Sequence, residues 1–315
     1  MIFSIICVLG GLAALAIGGE FLVRGGVGLA QKAGLQPLLI GLVVIGFGTS
    51  MPELVTSVEA ARAGSPDIAW GNIVGSNIAN SLLVLGVAAM VAPIVLSGKG
   101  DRRDPMVVLA ASVVLLVLAW SGVAHVLIGL ALVLLLIAYI VSRYWTDRGT
   151  ETASEVPEEA SGPPPAGWGK PMVQTAVGLA ILLVGGRFLV SGAIDLSRAF
   201  GMSETLIGLT VVAIGTSLPE LVTSAIAAWR GQSGVALGNV LGSNLYNILG
   251  IGGATMMMSP VAIPRTMLTL DIPLMVMSAV AIALIAAFAK GIGRVLGGFF
   301  TVLYLAYLGA LVAMA

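Results

Sequence analysis

Charge is scarce in this sequence. Asp, Glu, Lys and Arg make up 10% of 315 residues, where a soluble domain carries about 25%. Hydrophobic residues fill 58% and the mean hydropathy is +1.07, which excludes a water-soluble globular chain. Cysteine is nearly absent: Cys7 stands alone in the first apolar run, so no disulfide framework exists. Histidine is single too, and His125 falls in a short turn, where a solvated ring is expected. No basic run offers a surface to nucleic acid, and the net charge is zero. No Gly-Lys-Ser/Thr loop follows either Gly-Ser-Asn segment, so no nucleotide partner and no ATP-driven pump are implied. The apolar runs lack the period-2 alternation of barrel strands. No basic segment precedes the first of them, which therefore reads as a true span and not as a cleaved leader.

What is present is a series of long apolar runs. A helix needs about 20 mainly apolar residues to span a bilayer. The expectation is an all-α integral membrane protein with ten transmembrane helices, at 3–23, 36–62, 69–93, 105–121, 123–143, 172–190, 203–229, 236–258, 267–289 and 293–313. Between the fifth and sixth lies an acidic, proline-rich linker, 146–170, with Glu151, Glu155, Glu158, Glu159 and Pro163-Pro164-Pro165. It divides the chain into a first half, 1–145, and a second, 171–315.

The halves repeat. Gly48-Thr49-Ser50-Met51-Pro52-Glu53-Leu54-Val55-Thr56-Ser57 recurs from Gly215 to Ser224, an offset of 167 (48 to 215), with nine of ten positions identical. The same offset matches Gly34 to Gly201, Gly41 to Gly208, Gly64 to Gly231, Asn80 to Asn247 and Asp104 to Asp271. It also aligns Gly71-Asn72-Ile73-Val74-Gly75-Ser76-Asn77 with Gly238-Asn239-Val240-Leu241-Gly242-Ser243-Asn244. Internal duplication is frequent in transporters. With five spans per half, the second copy enters from the opposite side, giving two inverted five-helix repeats. With both termini outside, eleven Lys or Arg residues lie inside and four outside, which satisfies the positive-inside rule. The linker is then cytoplasmic, and the location is the inner (cytoplasmic) membrane.

Each copy of the motif sets a carboxylate among hydroxyls. Thr49 and Ser50 lie four and three residues before Glu53, on one helix face. Pro52 has no N–H, so a carbonyl four residues back loses its partner, and Gly46 and Gly48 loosen the same turn. Thr216, Ser217, Pro219 and Glu220 repeat this, with Ala213 in place of Gly46. Ser76 and Asn80, like Ser243 and Asn247, add neutral oxygens at i and i+4. Hard cations such as Na⁺ and Ca²⁺ take such ligands. Two glutamates balance one Ca²⁺, or most of the charge of two or three Na⁺. No Lys or Arg lies mid-span to pair with them, and an unpaired intramembrane acid points to function. The glycines at 64, 71 and 75 and their partners read chiefly as packing positions. The serines fit either ligands or back-bonds to their own helix. Thr56, Ser57, Thr223 and Ser224 are left as packing or pathway residues. Asp104, before Pro105, and Asp271 sit where N-caps belong. Glu20 and Arg24 are spaced to pair, and Gly18-Gly19 and Gly185-Gly186 mark either flexible points or packing.

Gly-Thr-Ser-x-Pro-Glu with Gly-Ser-Asn-x-x-Asn, both duplicated, resembles the cation/Ca²⁺ exchanger superfamily, and most its prokaryotic Na⁺/Ca²⁺ branch. The signature blocks run from Gly41 to Gly86 and from Gly208 to Gly253. The resemblance implies a secondary antiporter, not an enzyme and without a cofactor, that exchanges Na⁺ for Ca²⁺ by alternating access. It implies Ca²⁺ on Glu53 and Glu220 with the carbonyls of Thr49 and Thr216. Na⁺ would use the same acids with Ser50, Ser76, Ser217, Ser243 and the carbonyls at Gly46 and Ala213. Asn80 and Asn247 would line the middle, and spans one and six would slide together. Some archaeal members carry aspartate at the position of Asn247, as the K⁺-dependent branch does, so K⁺ independence is expected. The Ca²⁺/H⁺ branch has asparagine in place of Thr-Ser, which favours Na⁺ here. A Ca²⁺/H⁺ antiporter is the alternative and a cation channel the more distant one. The reading is of a monomer in a lipid bilayer with Na⁺ and Ca²⁺ as substrates.

Overall fold

Apolar residues in long unbroken series leave the backbone no partner but itself, and helices satisfy every backbone group internally. The computed structural model describes residues 1–96, 99–148, 167–201, 213–260 and 262–314. It is helical almost throughout. In order come α1 (Ile2–Ala33), α2 (Pro37–Thr49), α3 (Met51–Arg62), α4 (Pro66–Val91), α5 (Lys99–Ser121), α6 (Val126–Arg148), α7 (Gly169–Ala199), α8 (Ala213–Thr216), α9 (Leu218–Trp229), α10 (residues 233–258), α11 (Asp271–Phe288) and α12 (Arg294–Met314). A short departure from the all-α expectation is an antiparallel pair of two-residue strands, β1 (Ile94–Val95) and β2 (Gly291–Ile292), which ties the end of α4 to the start of α12.

Seven of these helices are long and apolar enough to cross a membrane, eight if α2 and α3 form one span bent by 46°. The expected span 203–229 falls partly on 202–212, outside the described residues. The expected span 236–258 is helical but is not among the seven. Residues 149–166, most of the expected linker, also lie outside the described residues. The first and sixth expected spans prove much longer than 3–23 and 172–190. At 32 residues α1 measures about 48 Å, against about 30 Å of hydrocarbon.

Element boundaries keep the 167-residue spacing. Helix α3 and helix α9 begin at 51 and 218 and end at 62 and 229. Each is preceded by a break, at Ser50 (φ −83°, ψ 6°) and Ser217 (φ −89°, ψ 5°). Inside α4 and α10 the helix widens to π geometry at Ala79–Val84 and Tyr246–Ile251, and a third π segment, Gly41–Ile45, lies in α2. The left-handed glycines recur as well: Gly34 and Gly201 (φ 63° and 80°), and Gly64 and Gly231 (φ 75° and 71°).

Helices α1 and α7 pack antiparallel along their length. A methyl on Gly11, Gly18 or Gly25 would lie 2.6, 2.6 and 2.5 Å from the backbone nitrogens of Leu189, Leu182 and Thr175. From the other side, Gly178, Gly185 and Gly192 meet Leu22, Ala14 and Ser4. Each helix therefore presents glycine every seventh residue, and only glycine permits so close a backbone approach. Gly18 and Gly185, two of the expected flexible points, lie on this seam.

Asp104 is not an N-cap. Helix α5 starts five residues earlier and carries Pro105 inside it. Asp104 is fully buried, ion-paired to Arg143 Nε at 3.1 Å, and accepts a hydrogen bond from the Tyr139 hydroxyl at 2.6 Å. A proline next to an acid resembles a helix start, and tertiary pairing overrode that local signal. Its register mate Asp271 is not the N-cap either: it is the first residue inside α11, after the N-cap Leu270 and with no side-chain cap bond, and it accepts from the Tyr307 hydroxyl at 2.7 Å. His125 is exposed, and its Nδ1 accepts from the Leu127 N–H. Glu20 pairs with Arg24, and also with Arg230 at the end of α9, where Arg230 Nε donates to Glu20 Oε2 at 2.6 Å.

Candidate functional site

The breaks at Ser50 and Ser217 put Pro52 and Pro219 in the first turn of α3 and α9, where a missing N–H costs nothing. Each break hands the next helix an acid in its first turn, Glu53 or Glu220, where partial positive charge from unpaired N–H groups favours an anion. Both glutamates are 1% exposed, and no ion pair reaches either one among the described residues.

The two halves meet at these acids. The Ser50 hydroxyl donates to Glu220 Oε1 at 3.3 Å. Thr49, Ser50 and Ser243 surround the Glu220 carboxylate, and Glu53 is near enough for the two charges to interact. The Thr49 hydroxyl also lies 3.1 Å from the Ile45 carbonyl and 3.2 Å from Asn239 Oδ1. Ser243 donates to the Gly46 carbonyl at 3.4 Å. Gly46 fits closely here, since a methyl would stand 3.0 Å from the Ser243 nitrogen.

Several buried oxygens lack a partner among the described residues: Glu53 Oε2, Glu220 Oε2, Asn80 Oδ1, Asn247 Oδ1 and the Ser217 hydroxyl. Burying an unpaired carboxylate oxygen is costly, and this donor set suits a hard cation. Asn80 and Asn247 are both the second residue of a π segment, a widening frequent at functional sites. Thr216 is half-buried and shares a cavity wall with Ser76. Ala213 opens α8. Among the described residues no cluster of three or more Asp, Glu, His or Cys occurs, so any cation here relies on two carboxylates and neutral oxygens.

Two asparagines went unassigned from the sequence. Asn239 Nδ2 donates to the Glu220 carbonyl at 3.2 Å and to Ser224 at 2.9 Å. Asn72, its register mate, donates to the Glu53 carbonyl at 3.1 Å and to Ser57 at 2.9 Å. The duplicated Gly-Asn was the available signal. These bonds give Ser57 and Ser224, expected only as packing or pathway positions, a part in holding the acid-bearing helices.

The second-half glycines beside the site are closely packed. Gly238 and Gly242 in α10 abut Leu38 and Leu42 of α2 so tightly that a methyl at Gly242 would lie 2.5 Å from the Leu42 carbonyl oxygen. Among the described residues, their mates in α4 meet little: Gly75 has nothing within 4 Å and Gly71 only a Met267 methyl at 3.7 Å, while Thr205 and Leu209, the register mates of Leu38 and Leu42, lie outside the described residues. Gly71 and Gly75 border a cavity of about 420 Å³ that reaches Ser76 and Thr216. Close helix approach, expected at all four glycines, is seen at 238 and 242; at 71 and 75 the facing part of the seventh span, 202–212, lies outside the described residues.

The sequence matches the family model described as sodium/calcium exchanger protein over residues 3–145 and 170–313. It is 32% identical to the inner membrane protein YrbG of Escherichia coli, over 93% of each chain. It is 29% identical to the sodium/calcium exchanger MaX1 of Methanosarcina acetivorans, over 95% of each chain. The structure superposes on that of the sodium-calcium exchanger NCX_Mj with a TM-score of 0.85, at 30% identity and covering 99% of both chains.

Proposed function

Since the chain belongs to the sodium/calcium exchanger family, we propose that it is a secondary antiporter that exchanges Na⁺ for Ca²⁺ at one shared cavity, without K⁺. The observation that carries this reading is the pair of buried glutamates, each with a carboxylate oxygen that no protein group satisfies among the described residues.

Ca²⁺ is bound by Glu53 and Glu220 with carbonyls of Thr49 and Thr216. Na⁺ draws on the same acids, on the hydroxyls of Ser50, Ser76, Ser217 and Ser243, and on the carbonyls at Gly46 and Ala213. Asn80 and Asn247 line the middle and add no charge. Because both ions need the same two carboxylates, neither is carried while the other occupies them. An empty cavity with two negative charges resists the desolvation that switching requires. Hydroxyls beside each acid favour Na⁺ as the counter-ion, since a proton would need none of them.

The repeated boundaries, breaks and π segments support ten spans in two inverted repeats, and the antiparallel α1–α7 seam agrees with inversion. The close packing at Gly238 and Gly242 and the cavity that reaches Ser76 and Thr216 support a site reached from one face at a time, as alternating access requires. The arginine and lysine distribution supports both termini outside, a cytoplasmic linker and a cavity mouth facing outward, and we read the chain as a monomer in the inner membrane.

The test is Ca²⁺ uptake into proteoliposomes under separate Na⁺, K⁺ and H⁺ gradients. Uptake driven by Na⁺ alone is expected. Uptake driven by a pH gradient and indifferent to Na⁺ would make the protein a Ca²⁺/H⁺ antiporter.

A further inference from the structure

The cavity beside α4 contains two acids that the exchange site does not use. Its wall includes Asp67, exposed in the first turn of α4, and Asp271 at the start of α11. The wall continues through Gly71, Asn72 and Gly75 to Ser76. From Asp67 to Ser76 is nine helical residues, about 13 Å of depth. At the floor, Ser76 is 6% exposed and its hydroxyl makes no hydrogen bond among the described residues. The remaining wall is largely apolar, with Ile68, Met267, Tyr304, Leu308 and Leu311.

The register sharpens the role of Asp271. Its mate Asp104 is fully buried and neutralised by Arg143. Asp271 keeps the tyrosine contact, through Tyr307, but among the described residues it has no cationic partner. One copy of the duplicated acid is thus locked into a buried ion pair, while the other faces a cavity that leads to the exchange site. A carboxylate beside low-dielectric walls concentrates cations at such a mouth.

We propose that Asp271, with Asp67 at the rim, forms a staging site that gathers the transported cation, Ca²⁺ above all, before it descends to Ser76 and the glutamates. The site holds a hydrated ion by charge alone, since two carboxylates cannot strip a divalent cation. It works on one face of the membrane only, because the corresponding acid on the other half is paired. This rests on the exchanger reading above.

Asp271→Asn keeps an oxygen for the Tyr307 hydroxyl and removes the charge, and Asp67→Asn removes the rim charge. In right-side-out vesicles, Na⁺-driven Ca²⁺ exchange is measured against Ca²⁺ concentration on each face, at low and high ionic strength. The expected result is a KM for Ca²⁺ on the cavity face raised roughly three- to tenfold in Asp271→Asn at low salt. The maximal rate and the KM on the other face stay unchanged, and the difference shrinks at high salt. Asp67→Asn gives a smaller effect of the same kind. An unchanged KM at low salt, or a fall in maximal rate and thermal stability with KM unaltered, would mean that Asp271 only anchors Tyr307, and would overturn the proposal. No Na⁺-driven flux in the unaltered protein would instead sink the exchanger reading, and the staging site with it.

Discussion

Ser50 donates its hydroxyl proton to Glu220 at 3.3 Å, across 170 positions of sequence. One half of the chain thus supports the acid of the other. Glu53→Gln or Glu220→Gln halves the negative charge that balances Ca²⁺, and either is expected to bring exchange down to background in proteoliposomes. Neither should unfold the protein, since a neutral amide is easier to bury than an unpaired carboxylate. Near-normal Ca²⁺ exchange in either variant would remove the site assignment.

Asn239→Ala deletes the two hydrogen bonds that hold the Glu220 turn. The buried Glu220 carbonyl and the Ser224 hydroxyl lose their donor, at a cost of about 1–3 kcal/mol. Weaker Ca²⁺ affinity and a lower unfolding temperature are expected together. Asn72→Ala should act in the same direction on Glu53, less strongly because Asn72 is only part-buried. A variant at 239 with full stability and unaltered affinity would make the pairing incidental.

The α1–α7 seam predicts a sharp contrast between neighbouring glycines. Gly18→Leu drives a side chain into the backbone of α7 and should destabilise by several kcal/mol, in the manner of overpacking. Gly10→Ala meets nothing within 4 Å and should be neutral, or stabilising by about 0.5–1 kcal/mol, because glycine is a poor helix former. Thermal unfolding in detergent compares the two directly, and equal effects would discount the seam.

Glu20 joins α1 to Arg230, at the end of the helix that bears Glu220. Glu20→Gln weakens this contact between a seam helix and the site. Movement of α1 against α9 should become easier, seen as faster exchange or as altered reactivity of cysteines placed along α1. The exchanged pair Glu20→Arg with Arg230→Glu should restore the original behaviour in part, with Arg24 opposing it. Identical rates and reactivities in all three proteins would show the pair to be ornamental.

Asn247→Asp adds a third acid to the cavity. A changed preference among Na⁺, K⁺ and Ca²⁺ is expected in competition assays, and an unchanged one would reduce Asn247 to a structural residue.

The sequence announced its helices and its acids because both are local signals. A carboxylate in an apolar run stands out, and a fixed offset survives without any knowledge of folding. The breaks at Ser50 and Ser217 were likewise foreshadowed by Pro52 and Pro219. What stayed hidden was tertiary. The ion pair of Asp104 with Arg143 joins two helices, and a proline beside the acid mimicked a cap. The π segments around Asn80 and Asn247 depend on how neighbouring helices crowd them. The seven-residue glycine spacing was present in the letters, but its meaning needs two helices side by side. The close packing of Gly238 and Gly242 on Leu38 and Leu42 could not be read either, since it depends on which helix lies alongside.

The unlike settings of Asp104 and Asp271 have a consequence for the energy of the molecule. Register mates that share a tyrosine contact sit in a buried ion pair in one half and on a cavity wall in the other, so the repeated framework is compatible with both. Exchanging the roles of the halves would trade contacts for ones of the same kind, leaving a gap of only a few kcal/mol between the two arrangements. A duplicated chain of this type starts from near-degeneracy, and single residues that break the likeness, such as the Arg143 partner of Asp104, tip the balance toward one face.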